Sequence, residues 1–228
     1  MTPRVVVVDY GVGNLLSVCR AFEACGATVE LTGSADRIAS AERVVLPGVG
    51  AFGDCVRELE RRGLTRPILD FIGSGRPLLG ICVGMQMLIE VGEEFGEHAG
   101  LGVVPGRVRA IPATGASGAH HKIPHIGWSE LTKPSERTQW KGTILDGIPE
   151  RSTCYFVHSF TAEPAQEHYR LSDCHYDGRR VSAALRIGNV YGTQFHPEKS
   201  GEIGLRILRN FLELVGVPEM AGGMAQDR

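Results

Sequence analysis

Three short stretches carry side chains that could do chemistry together. Gly80, Ile81, Cys82, Val83 and Gly84 follow the apolar run Pro77 to Leu79 and precede a helical pattern, giving G-x-C-x-G, the cysteine counterpart of the serine nucleophile elbow. A thiol there sits at a helix N-terminus, whose partial positive charge favours the reactive thiolate. The backbone N–H of Val83 points where an oxyanion would develop. Taken alone, the motif serves a buried, inert cysteine equally well. "GTQFHPE" supplies a base, because His196 and Glu198 are two residues apart and share a face if they lie at a strand end. Glu198 could then accept the imidazole proton, while His196 takes a proton from the thiol and delivers it to a leaving amine. A lone histidine before a proline is ordinary surface chemistry; its company with an elbow cysteine gives it weight. In "LPGVGAF", the glycines around Val49 and Gly50 let amide groups face an anion, although the same loop also reads as a plain strand-to-helix connection.

Other stretches carry less. "DYGVGN" places Leu16 where a dinucleotide fingerprint needs its third glycine, which excludes the Rossmann reading. "HHKIPH" (His120, His121, His125) could bind a metal, but no carboxylate or cysteine completes a ligand set, so a polar loop is the simpler reading and no metal or cofactor is expected. Arg61 with Arg62, and Arg179 with Arg180, read as solvated helix ends or turns. The six cysteines show no C-x-x-C spacing and are expected as free thiols.

The elements that must position these residues alternate. "RVVVVDY" is a β-branched run suited to a central parallel strand, "GVGNLLSVCRAFEACG" has helical periodicity stopped by Gly26, and "TVEL" is the next strand. A strand, a Pro/Gly loop and a helix from about Asp54 to near Gly63 follow, then the helical "LTRPILDFIGSG" and the strand, turn and helix of "RPLLGICVGMQMLIEVG". Strands separated by helices imply a mostly parallel, doubly wound α/β sheet with helices on both faces. Further on, "LGVVPGRVRAI" reads as a strand pair and the segment around 112–122 as turn-rich chain. "TCYFVHSF", "YRLSDC", "VSAALRIG" and "VYGTQFHPE" read as strands, with "DGRR" a hairpin turn, added antiparallel to the sheet. The helix "SGEIGLRILRNFLELVG" closes a single domain expected over residues 1–216, and 217–228 reads as a flexible tail.

Composition sets the bounds. With 228 residues, 43% of them hydrophobic, 22% charged and a formal net charge of −2, the chain reads as an ordinary globular protein with no leaning towards nucleic acid. No apolar run approaches the roughly 20 residues of a membrane span, and the start lacks the regions of a signal peptide, so a cytoplasmic location is expected.

Taken together, "VVDYGVGNLLSV", "LPGVGAFGDC", "PLLGICVGMQML", "IPHIGW", "YFVHSF" and "GTQFHPEKSGEIG" resemble the class I, triad-type glutamine amidotransferases. "DYGVGN", "IPHIGW" and "HPEKS" resemble more narrowly the glutaminase subunits of imidazole glycerol phosphate synthases of histidine biosynthesis. The resemblance implies that Cys82 attacks the amide of L-glutamine, that His196 is the acid/base oriented by Glu198, and that Val83 with Val49 or Gly50 holds the oxyanion on a loop that rearranges for activity. It implies that Gln86, Glu94, Ser159 and Phe160 contact glutamine, and that Asn14, Tyr155 and Lys199 meet a separate (β/α)8 cyclase subunit, which receives the ammonia in a heterodimer. Val83 stands where leucine is usual, Phe160 where tyrosine is commoner, and the "PATGASGAHHK" segment is expanded. The alternatives are a glutaminase serving another synthase, a γ-glutamyl hydrolase, or a non-enzymatic α/β scaffold with Cys82 inert.

Overall fold

The computed structural model describes residues 2–135 and 139–216; the expected tail at 217–228 lies outside them. The chain begins β1 (Arg4–Val8), α1 (Leu15–Ala24), β2 (Thr28–Thr32), α2 (Ala35–Ala39), β3 (Val44–Gly48), α3 (Phe52–Arg61), α4 (Thr65–Gly73), β4 (Leu78–Cys82) and α5 (Val83–Met87). It continues β5 (Ile89–Gly92), β6 (His98–Ala99), β7 (Val104–Ala110), β8 (His125–Glu130), β9 (Thr153–His158), β10 (Phe160–Pro164), β11 (Arg170–Tyr176), β12 (Arg179–Ile187), β13 (Val190–Thr193) and α6 (Gly201–Glu213). Seven strands form the central sheet in the order β11-β12-β13-β4-β3-β1-β2, with β13 to β2 parallel and β11 and β12 antiparallel additions at one edge. This is the mixed α/β sheet that the alternation of elements predicts.

Local chemistry explains the elements. Val18, Cys19, Ala21 and Phe22 bury one face of α1, and Phe22 meets Phe211 of α6 edge-on at 6.0 Å. The helix stops because Gly26 takes φ +86°, letting its N–H reach Glu23 O and the Ala27 N–H reach Phe22 O, the bond pattern of a glycine-terminated helix. β4 is buried on both faces along its whole length, as a central parallel strand must be.

Several sequence expectations need correction. "LGVVPGRVRAI" is one strand, β7, rather than a pair; it lies between β10 and β5 in a second sheet ordered β10-β7-β5-β6. "TCYFVHSF" does not join the central sheet: β9 pairs with β8 as a separate two-stranded ribbon, and β10 enters the second sheet. The helix after Cys82 is only five residues long and gives way to β5, so it offers little of the dipole expected for the thiol. α2 carries too weak an apolar pattern to show in the sequence. α3 starts at Phe52, two residues before Asp54, because its first free N–H is taken by the Glu94 carboxylate at 2.7 Å, a partner 42 residues away. Among the described residues no helix is long and apolar enough to cross a membrane.

Candidate active site

Three adjacent parallel strands deliver the candidate residues to one end of the sheet. Gly48 of β3 is level with Cys82 of β4, and Thr193 of β13 is level with Ile81, so the chain leaving each strand arrives at the same height. The carboxyl ends of strands are where open α/β sheets bind ligands.

Cys82 itself carries the turn, with φ +56° and ψ −113°, a strained conformation for a residue with a side chain. Neither flanking glycine has positive φ; their role is close approach. A Cβ on Gly84 would lie 1.9 Å from Leu46 O, and one on Gly80 would lie 2.7 Å from Gly84 O. Only glycine at both positions lets α5 fold back on β3 and β4 and raise the thiol.

His196 is three residues beyond β13, and Glu198 lies in a 3₁₀ turn, Pro197–Lys199, not at a strand end as the spacing suggests. The turn nevertheless brings Glu198 Oε1 to 2.8 Å from His196 Nδ1. A carboxylate only accepts, so Nδ1 carries the proton and Nε2 is left for the Cys82 side. The His196 backbone is clamped: its N–H donates to Tyr155 O at 2.9 Å, and its carbonyl accepts from Ser200 Oγ at 2.7 Å. Burial disfavours charge on His196, but hydrogen bonding and charge from Cys82 and Glu198 outweigh it and raise the ring to about 9. Nε2 makes no hydrogen bond of normal geometry, so the sulfur acts on it as a neighbour rather than as a fully formed partner. Burial pushes the thiols of Cys55 to about 11 and Cys154 to about 12, and raises those of Cys19, Cys25 and Cys174, which keeps them protonated and unreactive.

Cys82, Val83, His196, Val49, Gly50, Gln86, Glu94, Ser159 and Phe160 all line one cavity of about 480 Å³, a size suited to a small metabolite. Glu198 sits behind His196 with its side chain 1% exposed. The Pro47–Gly50 loop is tied down from below: Tyr10 donates to Pro47 O at 2.8 Å and Cys55 Sγ to Val49 O at 3.4 Å. Gln86 Nε2 is engaged by Phe160 O and Gln194 Oε1, Glu94 caps α3, and Ser159 O accepts from Ile111 N. Clefts at the opposite end of the sheet, among Arg4, Glu30 and Arg37 and among Cys25, Arg43 and Arg209, hold no comparable pairing of nucleophile and base.

Sequence reasoning passed over Gln194, fully buried with its amide facing Cys82 Sγ at 3.7 Å, and His158 at the cavity wall; "TQF" and "VHS" were the available signals. Of "HHKIPH", His121 bonds Pro112 O and Asp177 while His125 is buried against His158. Among the described residues no group of three or more histidine, cysteine or acidic side chains is placed to hold a metal. Asn14 stands at the N-cap position of α1 without a side-chain capping bond, its carbonyl accepting from Val18 N–H, and α1 packs beside the 3₁₀ turn bearing Lys199. Lys199 Nζ lies 5.9 Å over the Tyr155 ring, and Trp128, 56% exposed, meets that ring edge-on at 6.0 Å. These last three residues make a contiguous surface beside His196, to which exposed Ile126 adds.

An elbow cysteine facing a histidine–carboxylate pair at the carboxyl end of such a sheet defines a class I glutamine amidotransferase. The chain belongs to that family, whose model, glutamine amidotransferase class-I, matches residues 6–215. Within it, the chain is 52% identical over 210 residues to imidazole glycerol phosphate synthase subunit HisH 1 of Legionella pneumophila (strain Lens), covering 92% of this chain and 99% of that one. It is 47% identical over 207 residues to subunit HisH of Rhodopirellula baltica, covering 91% and 96%. Among solved structures, PurLQS from Thermotoga maritima shares the fold with TM-score 0.68 at 21% identity, covering 93% of this chain and 98% of that chain. A glutamine amidotransferase from Thermotoga maritima matches with TM-score 0.61 at 16% identity, covering 93% of this chain and 97% of that chain.

Proposed function

We propose that this chain is the glutaminase subunit of an imidazole glycerol phosphate synthase, hydrolysing L-glutamine and passing ammonia to a separate (β/α)8 cyclase subunit. The observation that carries the glutaminase reading is the single cavity in which Cys82 on its strained turn faces His196, itself bound to Glu198. The Cys82 thiol yields its proton to His196 Nε2 as its sulfur bonds to the γ-carboxamide carbon of glutamine, and negative charge moves to the carbonyl oxygen. The amides of Val83 and of Val49 or Gly50 stabilise that charge; one such donor is worth about 10²–10³ in rate. As the C–N bond breaks, His196 gives its proton to the departing nitrogen, leaving ammonia and a γ-glutamyl thioester. His196 then takes a proton from water, whose oxygen attacks the thioester carbon and releases glutamate and the thiol. Gln86, Glu94 and the main chain at Ser159 and Phe160 form the wall that glutamine contacts.

The HisH relatives favour histidine biosynthesis over another synthase or a γ-glutamyl hydrolase as the setting. Asn14, Tyr155 and Lys199, with Trp128 and Ile126, form the surface for the cyclase in the cytoplasm, and the cyclase uses the ammonia to make imidazole glycerol phosphate and an aminoimidazole carboxamide ribotide. Free ammonia in neutral water is largely protonated, so direct transfer keeps it nucleophilic. Glutamate release, measured with and without the cyclase and its nucleotide substrate, tests the reading. Strong stimulation that vanishes in Cys82→Ala supports it; turnover indifferent to the partner overturns the coupling.

A further inference from the structure

A line of buried and part-buried hydrogen bonds runs from β8 to the candidate nucleophile. His158 Nδ1 lies 2.7 Å from Phe160 O, His158 Nε2 lies 3.0 Å from His125 Nδ1, and His125 Nε2 lies 2.9 Å from Ser129 Oγ. On the other side of the same carbonyl, Gln86 Nε2 donates to Phe160 O at 3.1 Å and to Gln194 Oε1 at 2.9 Å, and Gln194 Nε2 faces Cys82 Sγ at 3.7 Å.

The chemistry of each group gives this line one sense. A carbonyl only accepts, so His158 must carry its proton on Nδ1 and present a bare Nε2. His125 must then donate from Nδ1, and its own bare Nε2 takes the Ser129 hydroxyl. Gln86 must likewise turn its nitrogen to Phe160 O, which forces Gln194 to turn its oxygen to Gln86 and its nitrogen to the sulfur. Burial holds both rings neutral, pushing His125 down to about 4 and His158 to about 3. His125 is 1% exposed and stacked between Phe156 and Tyr176, so neither ring can turn without breaking packing. The mechanism above uses neither histidine.

We propose that His125 and His158 are positioning residues of this site: they fix the Phe160 carbonyl, and through it the amides of Gln86 and Gln194, so that Gln194 presents an N–H to the Cys82 sulfur. The inference rests on Cys82 being the nucleophile of the proposed glutaminase. An N–H held against sulfur favours the thiolate, and Phe160 lines the cavity proposed above to hold glutamine.

His125 is the place to test it, because it lines neither the cavity nor the catalytic pair. His125→Phe keeps the aromatic stack and removes the donor to His158; His125→Asn places an N–H near the position of Nδ1; His125→Gln places its amide near the position of Nε2. Three readouts apply: glutamine kcat and KM in the complex with the cyclase, the pH profile of Cys82 alkylation by iodoacetamide in the full chain, and the ¹⁵N shifts of the histidine rings. Cys82 acts electrostatically on His196 beyond β13, Cys55 on α3 and Tyr10 after β1, and His158, which interacts with both His125 and His196, shares the cavity with Cys82; all four stay in place in every variant at 125. We expect Nδ1–H on both rings of the wild type, and a loss of roughly 10- to 100-fold in kcat/KM for His125→Phe with the alkylation profile moved to higher pH. His125→Asn should restore both and His125→Gln should not; this pair decides the matter if His125→Phe fails to fold. Nε2–H on either ring, a wild-type profile in folded His125→Phe, or equal damage in the Asn and Gln variants overturns the proposal. If the wild-type complex releases no glutamate, the glutaminase reading falls by itself, while tautomer and alkylation still decide the relay.

Discussion

Gly84, two residues after the candidate nucleophile, packs so tightly beneath it that a Cβ there would lie 1.9 Å from the carbonyl oxygen of Leu46. The contact joins α5 to β3 and sets how far Cys82 rises above the sheet. Gly84→Ala must therefore push the elbow away from the strand that carries the Val49–Gly50 loop. We expect a loss of about 2–3 kcal/mol in urea unfolding, together with activity reduced by more than the unfolded fraction explains. Wild-type stability in that variant would show that the elbow yields freely.

Glu198→Gln probes the orientation of His196. A glutamine amide can donate to Nδ1, which would place the ring proton on Nε2, the nitrogen that must accept from the thiol. Glutaminase kcat should fall about 10³- to 10⁴-fold with the fold intact by circular dichroism. A drop under tenfold would leave Glu198 a structural residue.

The raised ring of His196 predicts a pH limit. Its imidazolium persists to about 9 in the fold, against 6.5 as the ordinary value, and that form delivers the proton to the leaving nitrogen. kcat/KM should decline above about pH 9, and Glu198→Gln should move the decline to lower pH. By linkage, the stabilisation from this ring is complete below about pH 6.5 and is lost as pH rises through 9. An alkaline limb that does not move in Glu198→Gln would assign it to another group.

His125 and His158 act in the opposite direction on stability. Both rings stay neutral in the fold, to about 4 and about 3, whereas unfolded histidine gains its proton near 6.5. Their contribution is present above about pH 6.5 and is lost as pH falls towards 4 and then 3. Urea midpoints between pH 7 and pH 5 should fall less in His125→Phe than in the wild type; parallel slopes would count against the assignment.

Trp128 and Lys199 flank Tyr155 on the proposed partner surface. Trp128→Ala should weaken cyclase binding by roughly 30-fold or more, as loss of an aromatic anchor does, while Cys82 alkylation in the isolated chain stays unchanged. Titration calorimetry with the cyclase decides it, and unaltered affinity would move the interface elsewhere.

Legibility from sequence differed by kind of interaction. β1, α1, β3 and β4 were readable because burial on both faces of a parallel strand, or on one face of a helix, imposes a local pattern of apolar residues. The elbow and H-x-E stretches were readable because their chemistry is carried within five residues or fewer. The true start of α3 and the assignment of β9 and β10 to other sheets were not, since each is decided by a partner far along the chain. The glycines beside Cys82 were visible, but their reason was not: contact with Leu46 O and with the turn itself, rather than positive φ, requires them.

The amino-acid sequence by itself determined the residue types, the alternation of strands and helices and the presence of a thiol, an imidazole and a carboxylate in two short stretches. Only the tertiary structure decided that the ends of β3, β4 and β13 are level, that Glu198 reaches His196 from a 3₁₀ turn, and that a Ser129–His125–His158 line ends on the Phe160 carbonyl. The reason is physical: spacing along the chain constrains neighbours within one element, whereas the register of parallel strands and the sense of a buried hydrogen-bond line are set by packing between segments tens of residues apart.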